Sequence, residues 1–121
     1  MRDAVILGVG MTPFGRHLDK SHEQLTQAAV RLALADSGVP PDQIQMAVYA
    51  NVIQGFFVGE MSIPGEYALR PLGISGVRGF HVEAACASST VGFHLAVDHV
   101  RAGLCDIALI VGVEKLYSDD R

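Results

Sequence analysis

Between Gly79 and Gly92 the chain reads Gly-Phe-His-Val-Glu-Ala-Ala-Cys-Ala-Ser-Ser-Thr-Val-Gly, and its periodicity changes at the cysteine. Phe80, Val82 and Ala84 alternate with His81, Glu83 and Ala85, the period of two that a strand requires. From Cys86 onward small residues lead into a helical pattern. A strand therefore turns into a helix at Cys86, and the chain has to accommodate that junction in a fold that layers helices on a sheet.

The junction has chemical consequences. The first backbone N–H groups of a helix lack partners within it, and the helix dipole favours negative charge at that end. A cysteine placed there has its pKa drawn down from about 8.5 toward neutrality, and the same amides can hold a developing oxyanion. Free cysteine is also commonly a small buried hydrophobe. Position alone thus leaves Cys86 open as a nucleophile or a structural thiol. Cys105, just ahead of the apolar run Ile107 to Val111 and with no helix start after it, reads as structural.

Composition narrows the classes of function. Half of the 121 residues are hydrophobic and only 18% are charged, which argues against disorder. The net charge is −4 and no Lys/Arg cluster occurs, so nucleic acid is not an expected partner. No apolar run approaches the roughly 18 residues needed to span a bilayer, and no signal-peptide core with a cleavage site opens the chain. A soluble, cytoplasmic protein is expected. The two cysteines do not suggest a disulfide framework, and no CxxC or HExxH spacing predicts a metal site.

Ala4 to Val9 is a continuous apolar run, expected to form a central strand covered on both faces. The following loop contains Gly8 and Gly10, but the third glycine of a dinucleotide fingerprint would fall at Pro13, so no nucleotide site is expected there. Ser21 and Gln24 form a capping box, and Leu25, Ala28, Ala29 and Leu32 repeat on one helical face. That helix should end at Gly38, before Pro40 and Pro41. Met46 to Asn51 is a second strand, predicted to lie parallel to the first in a right-handed crossover unit.

From Val52 to Arg78, glycines and prolines leave room for one short helix, near Gly65 to Leu72. Phe56 and Phe57 suit either a cleft-lining loop or the core, and core packing is the more frequent fate of such a pair. The helix after Cys86, running to Ala102, is apolar around most of its circumference and should be covered on nearly every side. His94, Asp98 and Arg101 form its one polar stripe, which reads as a solvated or ion-paired face. Ile107 to Val113 is a last strand, with Gly112-Val113-Glu114 at the end where open α/β sheets place ligands. Four strands and two long helices imply a layered α/β sheet.

Three stretches carry a resemblance to the thiolase superfamily, specifically to thiolases of the sterol carrier protein type. They are Val9 to Gly15, Val82-Glu83-Ala84-Ala85-Cys86-Ala87-Ser88, and Gly112-Val113-Glu114, in the family's order and spanning nearly the whole chain. The resemblance implies a thiolase-like layered fold, with residues 1–121 as a partial N-terminal domain whose mostly parallel mixed sheet carries helices on its faces. It implies an acyltransferase in which Cys86 takes an acyl group from a CoA thioester, for Claisen condensation or for thiolytic cleavage of a 3-ketoacyl-CoA. Coenzyme A would enter as substrate, with no permanently bound cofactor. A homodimer, or a complex with a complementing thiolase-like chain, is expected, the strand before the cysteine pairing with its mate.

Ser88-Ser89 stands where thiolases usually have serine and glycine, and the double serine is also similar to the related ketoacyl synthases. The resemblance further implies that the histidine and second cysteine acting as base and acid belong to a later half, so further polypeptide would be needed for turnover. Local histidines are poor substitutes. His94 is eight helical residues from Cys86, about 12 Å, and His81 five strand residues away, about 16 Å, whereas a general base must reach about 3 Å. His17 and His22 are open to approach through tertiary folding. Two other readings remain at this point: a thiolase-like aldolase of sterol side-chain breakdown, and a non-catalytic assembly subunit binding through a sheet edge and the Phe56/Phe57 loop.

Overall fold

Ser21 starts the first helix by the reciprocal bonding that its sequence suggests. In the computed structural model, which describes residues 1–59 and 62–117, its hydroxyl accepts from the Gln24 amide at 3.1 Å and the Gln24 side chain accepts from the Ser21 amide at 2.9 Å. Helix α1 runs over His22–Ser37 and ends on left-handed Gly38, whose amide donates to the Leu34 carbonyl. Strand β1 (Met46–Ala50) follows a short 3-10 turn at Pro41–Gln43. Two short helices, α2 (Gln54–Val58) and α3 (Pro64–Leu69, extended by a 3-10 turn at Arg70–Leu72), lead to strand β2 (Arg78–Val82). Helix α4 (Ser88–Arg101) and strand β3 (Ala108–Gly112) complete the order.

The three strands form one parallel sheet in the order β2-β1-β3. All five residues of the central β1 are buried, which is what a five-residue apolar strand covered on both faces requires. Alternation sorts its side chains. Ala47 and Tyr49 join Leu109 and Val111 in a core beneath α1 and α3, with Val30, Ala68 and Leu69. Met46 and Val48 face the other way with Phe80, Val82 and Ile110, against Leu95 and Val100 of α4. Each fully buried side chain of this size contributes roughly 1.5–3 kcal/mol. Gly92 allows α4 to lie this close, since a Cβ there would stand 2.9 Å from Val48 Cγ1.

The expected strand at Ala4 to Val9 does not form. The segment makes no ladder, and Val5, Ile6 and Val9 are largely exposed. Its ends are held elsewhere. Arg2 forks onto the carbonyls of Val100 and Cys105 and pairs with Asp106 at 2.6 Å, while the Val9 amide donates to Asp36. Gly8 and Gly10 press against the backbone of α1 at Ala33 and Ala29, where a side chain would collide. Between these anchors the run borders a groove of about 580 Å³ shared with β3, so no strand edge comes within the roughly 4.8 Å that pairing requires. The parallel neighbours of β1 are accordingly β2 and β3.

Two further expectations change. The short helix expected near Gly65 to Leu72 is preceded by another, α2, in a stretch whose glycines suggested loop. Helix α4 is not covered all round, for Val91 and Phe93 are each 44% exposed. One layer, the sheet, packs on it among the described residues, and a single layer shields only one stripe. His94, Asp98 and Arg101 lie on the side away from the sheet, as a solvated face should.

Substituting Gly92→Val inserts atoms against Val48 in a packed layer, and is expected to lower the unfolding free energy by about 1–3 kcal/mol. Urea denaturation followed by circular dichroism measures this, with exposed Gly15→Ala, where a Cβ meets nothing nearer than 3.9 Å, as the comparison.

Candidate active site

Cys86 lies on the connection from β2 to α4 and is exposed. The helix begins two residues later than its sequence pattern suggests, at Ser88, because Ala84 to Ala87 form a turn of their own. Ala85 adopts a left-handed conformation, φ 49°, which for a residue with a Cβ costs about 1–2 kcal/mol. Local bonds hold it. The Glu83 carboxylate accepts from the Ala85 amide at 2.5 Å. The Ser88 hydroxyl donates to the Ala85 carbonyl at 2.7 Å and accepts from the Ala84 amide at 2.8 Å. The Ala87 and Ser88 amides donate to the carbonyls of Ala84 and Ala85. With the Val91 amide bonded to Ala87, the amides of Ser89 and Thr90 head α4 with no hydrogen-bond partner among the described residues.

The carboxyl ends of β1 and β3 are tied together beside this turn. The Glu114 carboxylate accepts from the amides of Val52 (2.9 Å) and Ile53 (3.3 Å) and from the Asn51 side chain (3.2 Å), which also donates to the Val113 carbonyl. Asn51 in turn caps the Gln54 amide, and Gln54 accepts from the buried Tyr49 hydroxyl. Burial pushes the Tyr49 phenol up to about 12, with the Thr26 and Gln54 hydrogen bonds acting against it. Ser89 packs over Gly112, where a Cβ would oblige the Ser89 hydroxyl to turn away. Sequence reasoning placed Glu114 at a ligand-bearing strand end but missed its work as a staple. The signal available was an acid directly after an apolar strand, facing a loop whose amides follow an asparagine.

Cys105 is the structural thiol its context suggests. It is buried, its Sγ lies 3.9 Å from Met46 Sδ, and burial pushes its pKa up. Three of the five histidines are engaged elsewhere. His17 bonds the Pro13 carbonyl, His81 stands edge-on to Tyr49, and His99 bonds the Leu95 carbonyl. None of these contacts includes Cys86. Phe56 is not core: it is 87% exposed on α2, edge-on to Phe57. Phe56 and Phe57 are consecutive in α2, and neighbouring helical positions face different ways, so both rings do not turn to one side. No group of three or more His, Cys, Asp or Glu among the described residues is placed to hold a metal ion, and no helix among them is long and apolar enough to cross a membrane.

Residues 4–120 match the family described as thiolase, N-terminal domain. The chain belongs to that family. It is 34% identical over 116 residues to acetyl-CoA acetyltransferase of Methanocaldococcus jannaschii, covering 96% of this chain and 29% of that protein. It is 27% identical over 117 residues to sterol carrier protein 2 of Gallus gallus, covering 95% of this chain and 20% of the relative. The solved structure of acetyl-CoA acetyltransferase from Syntrophomonas wolfei superposes with a TM-score of 0.77 at 27% identity, over 88% of this chain and 27% of that one. This thiolase-family chain thus spans less than a third of the length of these proteins, and its three-stranded sheet is part of a thiolase-like layered fold.

His22, at the first position of α1, is 4% exposed and its Nε2 has no hydrogen-bond partner among the described residues. Burial pushes its pKa below the ordinary value near 6.5, against the opposing pull of Glu114. The folded state therefore binds fewer protons than the unfolded state below about pH 6.5, so stability is full above that value and declines as pH falls. Urea unfolding at pH 7.5 and pH 5.5 should show a larger loss for the native chain than for His22→Phe. Equal losses would remove His22 from the account.

Proposed function

We propose that the protein is the Cys86-bearing portion of a thiolase-type acyltransferase acting on CoA thioesters. The observation that carries this reading is the exposed Cys86 in a braced turn ahead of α4, where unpaired amides favour developing negative charge. Family membership and the acetyl-CoA acetyltransferase relatives support the reaction class.

In this reading the Cys86 thiolate attacks the carbonyl carbon of an acyl-CoA. The tetrahedral oxyanion collapses, the CoA sulfur leaves and takes a proton, and a thioester to Cys86 remains. In the condensing direction the α-carbon of a second thioester, after losing a proton, attacks that acyl group and releases 3-ketoacyl-CoA. Thiolysis is the same path reversed. Passing through an acyl-enzyme replaces one difficult step by two easier ones.

The proton acceptor is proposed to come from further thiolase-like polypeptide, since the histidine contacts described above do not include Cys86. Strand β2 supports the proposed dimer, for it lies at one edge of the sheet with β1 on its other side. Both cysteines are free, in keeping with a proposed cytoplasmic, reducing setting.

Incubating the chain with acetyl-CoA, alone and with a complementing thiolase-like chain, followed by peptide mass spectrometry, tests the reading. A 3-ketoacyl-CoA would serve as the second probe. The expected result is an acyl adduct on Cys86 that Cys86→Ala abolishes. An adduct on Cys105 alone, or none in either mixture, would overturn it.

A further inference from the structure

The turn before α4 is held in a conformation that its own residues do not favour. Ala85 has a Cβ yet sits at φ 49°, and it directly precedes Cys86, so its backbone angles set where the cysteine points. Its amide and carbonyl are held by different side chains. Ser88 takes the carbonyl from inside α4 and is buried, whereas Glu83 takes the amide from just beyond the end of β2. Glu83 makes no ion pair within 4.0 Å among the described residues. A carboxylate near a thiol does nothing to activate it by charge, because like charges repel. What Glu83 supplies is a fixed acceptor two residues along the chain.

We infer that Glu83 is a positioning residue, holding left-handed Ala85 through the Ala85 amide and thereby presenting Cys86 to an incoming electrophile. The inference rests on the reading of Cys86 as the nucleophile. It differs from that reading in what it requires, since a hydrogen-bond acceptor is needed at residue 83 and a negative charge is not.

Iodoacetamide tests this without relying on acyl transfer. The sulfur of Cys86 forms a bond to the methylene carbon, iodide leaves, and the thiol proton passes to solvent. Labelling rates at Cys86 are read by peptide mass spectrometry on the full chain, with buried Cys105 as control. Glu83→Ala should slow labelling by about fivefold, the order of the population shift that a released left-handed residue produces. Glu83→Gln, which keeps an acceptor, should stay within about twofold of the native rate on the same scale.

The decisive variant is Ala85→Gly. Glycine enters the left-handed region without penalty, so adding Glu83→Ala to that background should slow labelling by less than about twofold. The amide resonance of Ala85 should move in Glu83→Ala while those of α4 stay in place. Unchanged labelling in Glu83→Ala, Glu83→Gln as slow as Glu83→Ala, or a full effect of Glu83→Ala in the Ala85→Gly background would each overturn the inference. Absence of an acyl adduct on the native chain, with this labelling pattern intact, would overturn the acyltransferase reading and not the positioning role.

Discussion

A strand with no solvent face fixes the geometry of the molecule. Met46 to Ala50 is buried at every position, so one set of its side chains must satisfy α1 and α3 while the alternate set satisfies α4. A shift of one residue would exchange the two sets and place Tyr49 under α4, where Gly92 leaves no room for a ring. Register is therefore strongly specified, and it carries the neighbours with it: Ala50 pairs with Val82 on one side and with Gly112 on the other. The exits of all three strands are thereby brought to one end, and the turn bearing Cys86 is one of those exits.

Bringing strand exits together also creates a problem of unsatisfied backbone. The chain leaving β1 presents the amides of Val52, Ile53 and Gln54 with no strand to receive them. Glu114 and Asn51 supply the acceptors, and Gln54 extends the network to the Tyr49 hydroxyl in the core. Buried polar groups are costly unless paired, and a fully paired network is rigid. The end of the sheet nearest the cysteine turn is thus made of bonded groups, a firm support for a residue whose own turn is strained.

Features whose causes lie within one or two turns of chain were legible in the sequence. The Ser21 to Gln24 capping box, the Gly38 stop and the strand at Met46 depend on neighbours a few residues away. Cys105 was legible too, because the apolar run after it leaves a thiol no polar partner. Ala4 to Val9 was misread for a reason of the opposite kind. Its composition suits a buried strand, but whether a strand pairs depends on where an edge lies, and the Arg2 clasp on the end of α4 and the seating of Gly8 and Gly10 on α1 are tertiary facts. Phe56 fails similarly, since hydrophobicity says that a ring prefers burial without saying that the pair lies on a helix, where consecutive side chains face different ways. At the site, the junction at Cys86 was legible from the change of period. The left-handed Ala85 was not, because alanine carries no signature of that conformation, in contrast to the glycine usually found there.

That choice of alanine bears on how the turn works. A glycine at this position would adopt the same angles freely, and it would adopt others as freely, so the cysteine after it would sample several directions. Alanine in the left-handed region has few alternatives once its amide and carbonyl are both held, by Glu83 on one side and Ser88 on the other. The unfavourable local energy is then offset by bonds that exist only in one arrangement, which narrows the ensemble more than an unstrained turn would. Ser88 belongs to α4, and α4 is set against β1 at Gly92 and against β3 where Ser89 meets Gly112. The direction of the Cys86 side chain is in this way referred back, through two side chains and one helix, to the strand that has no solvent face.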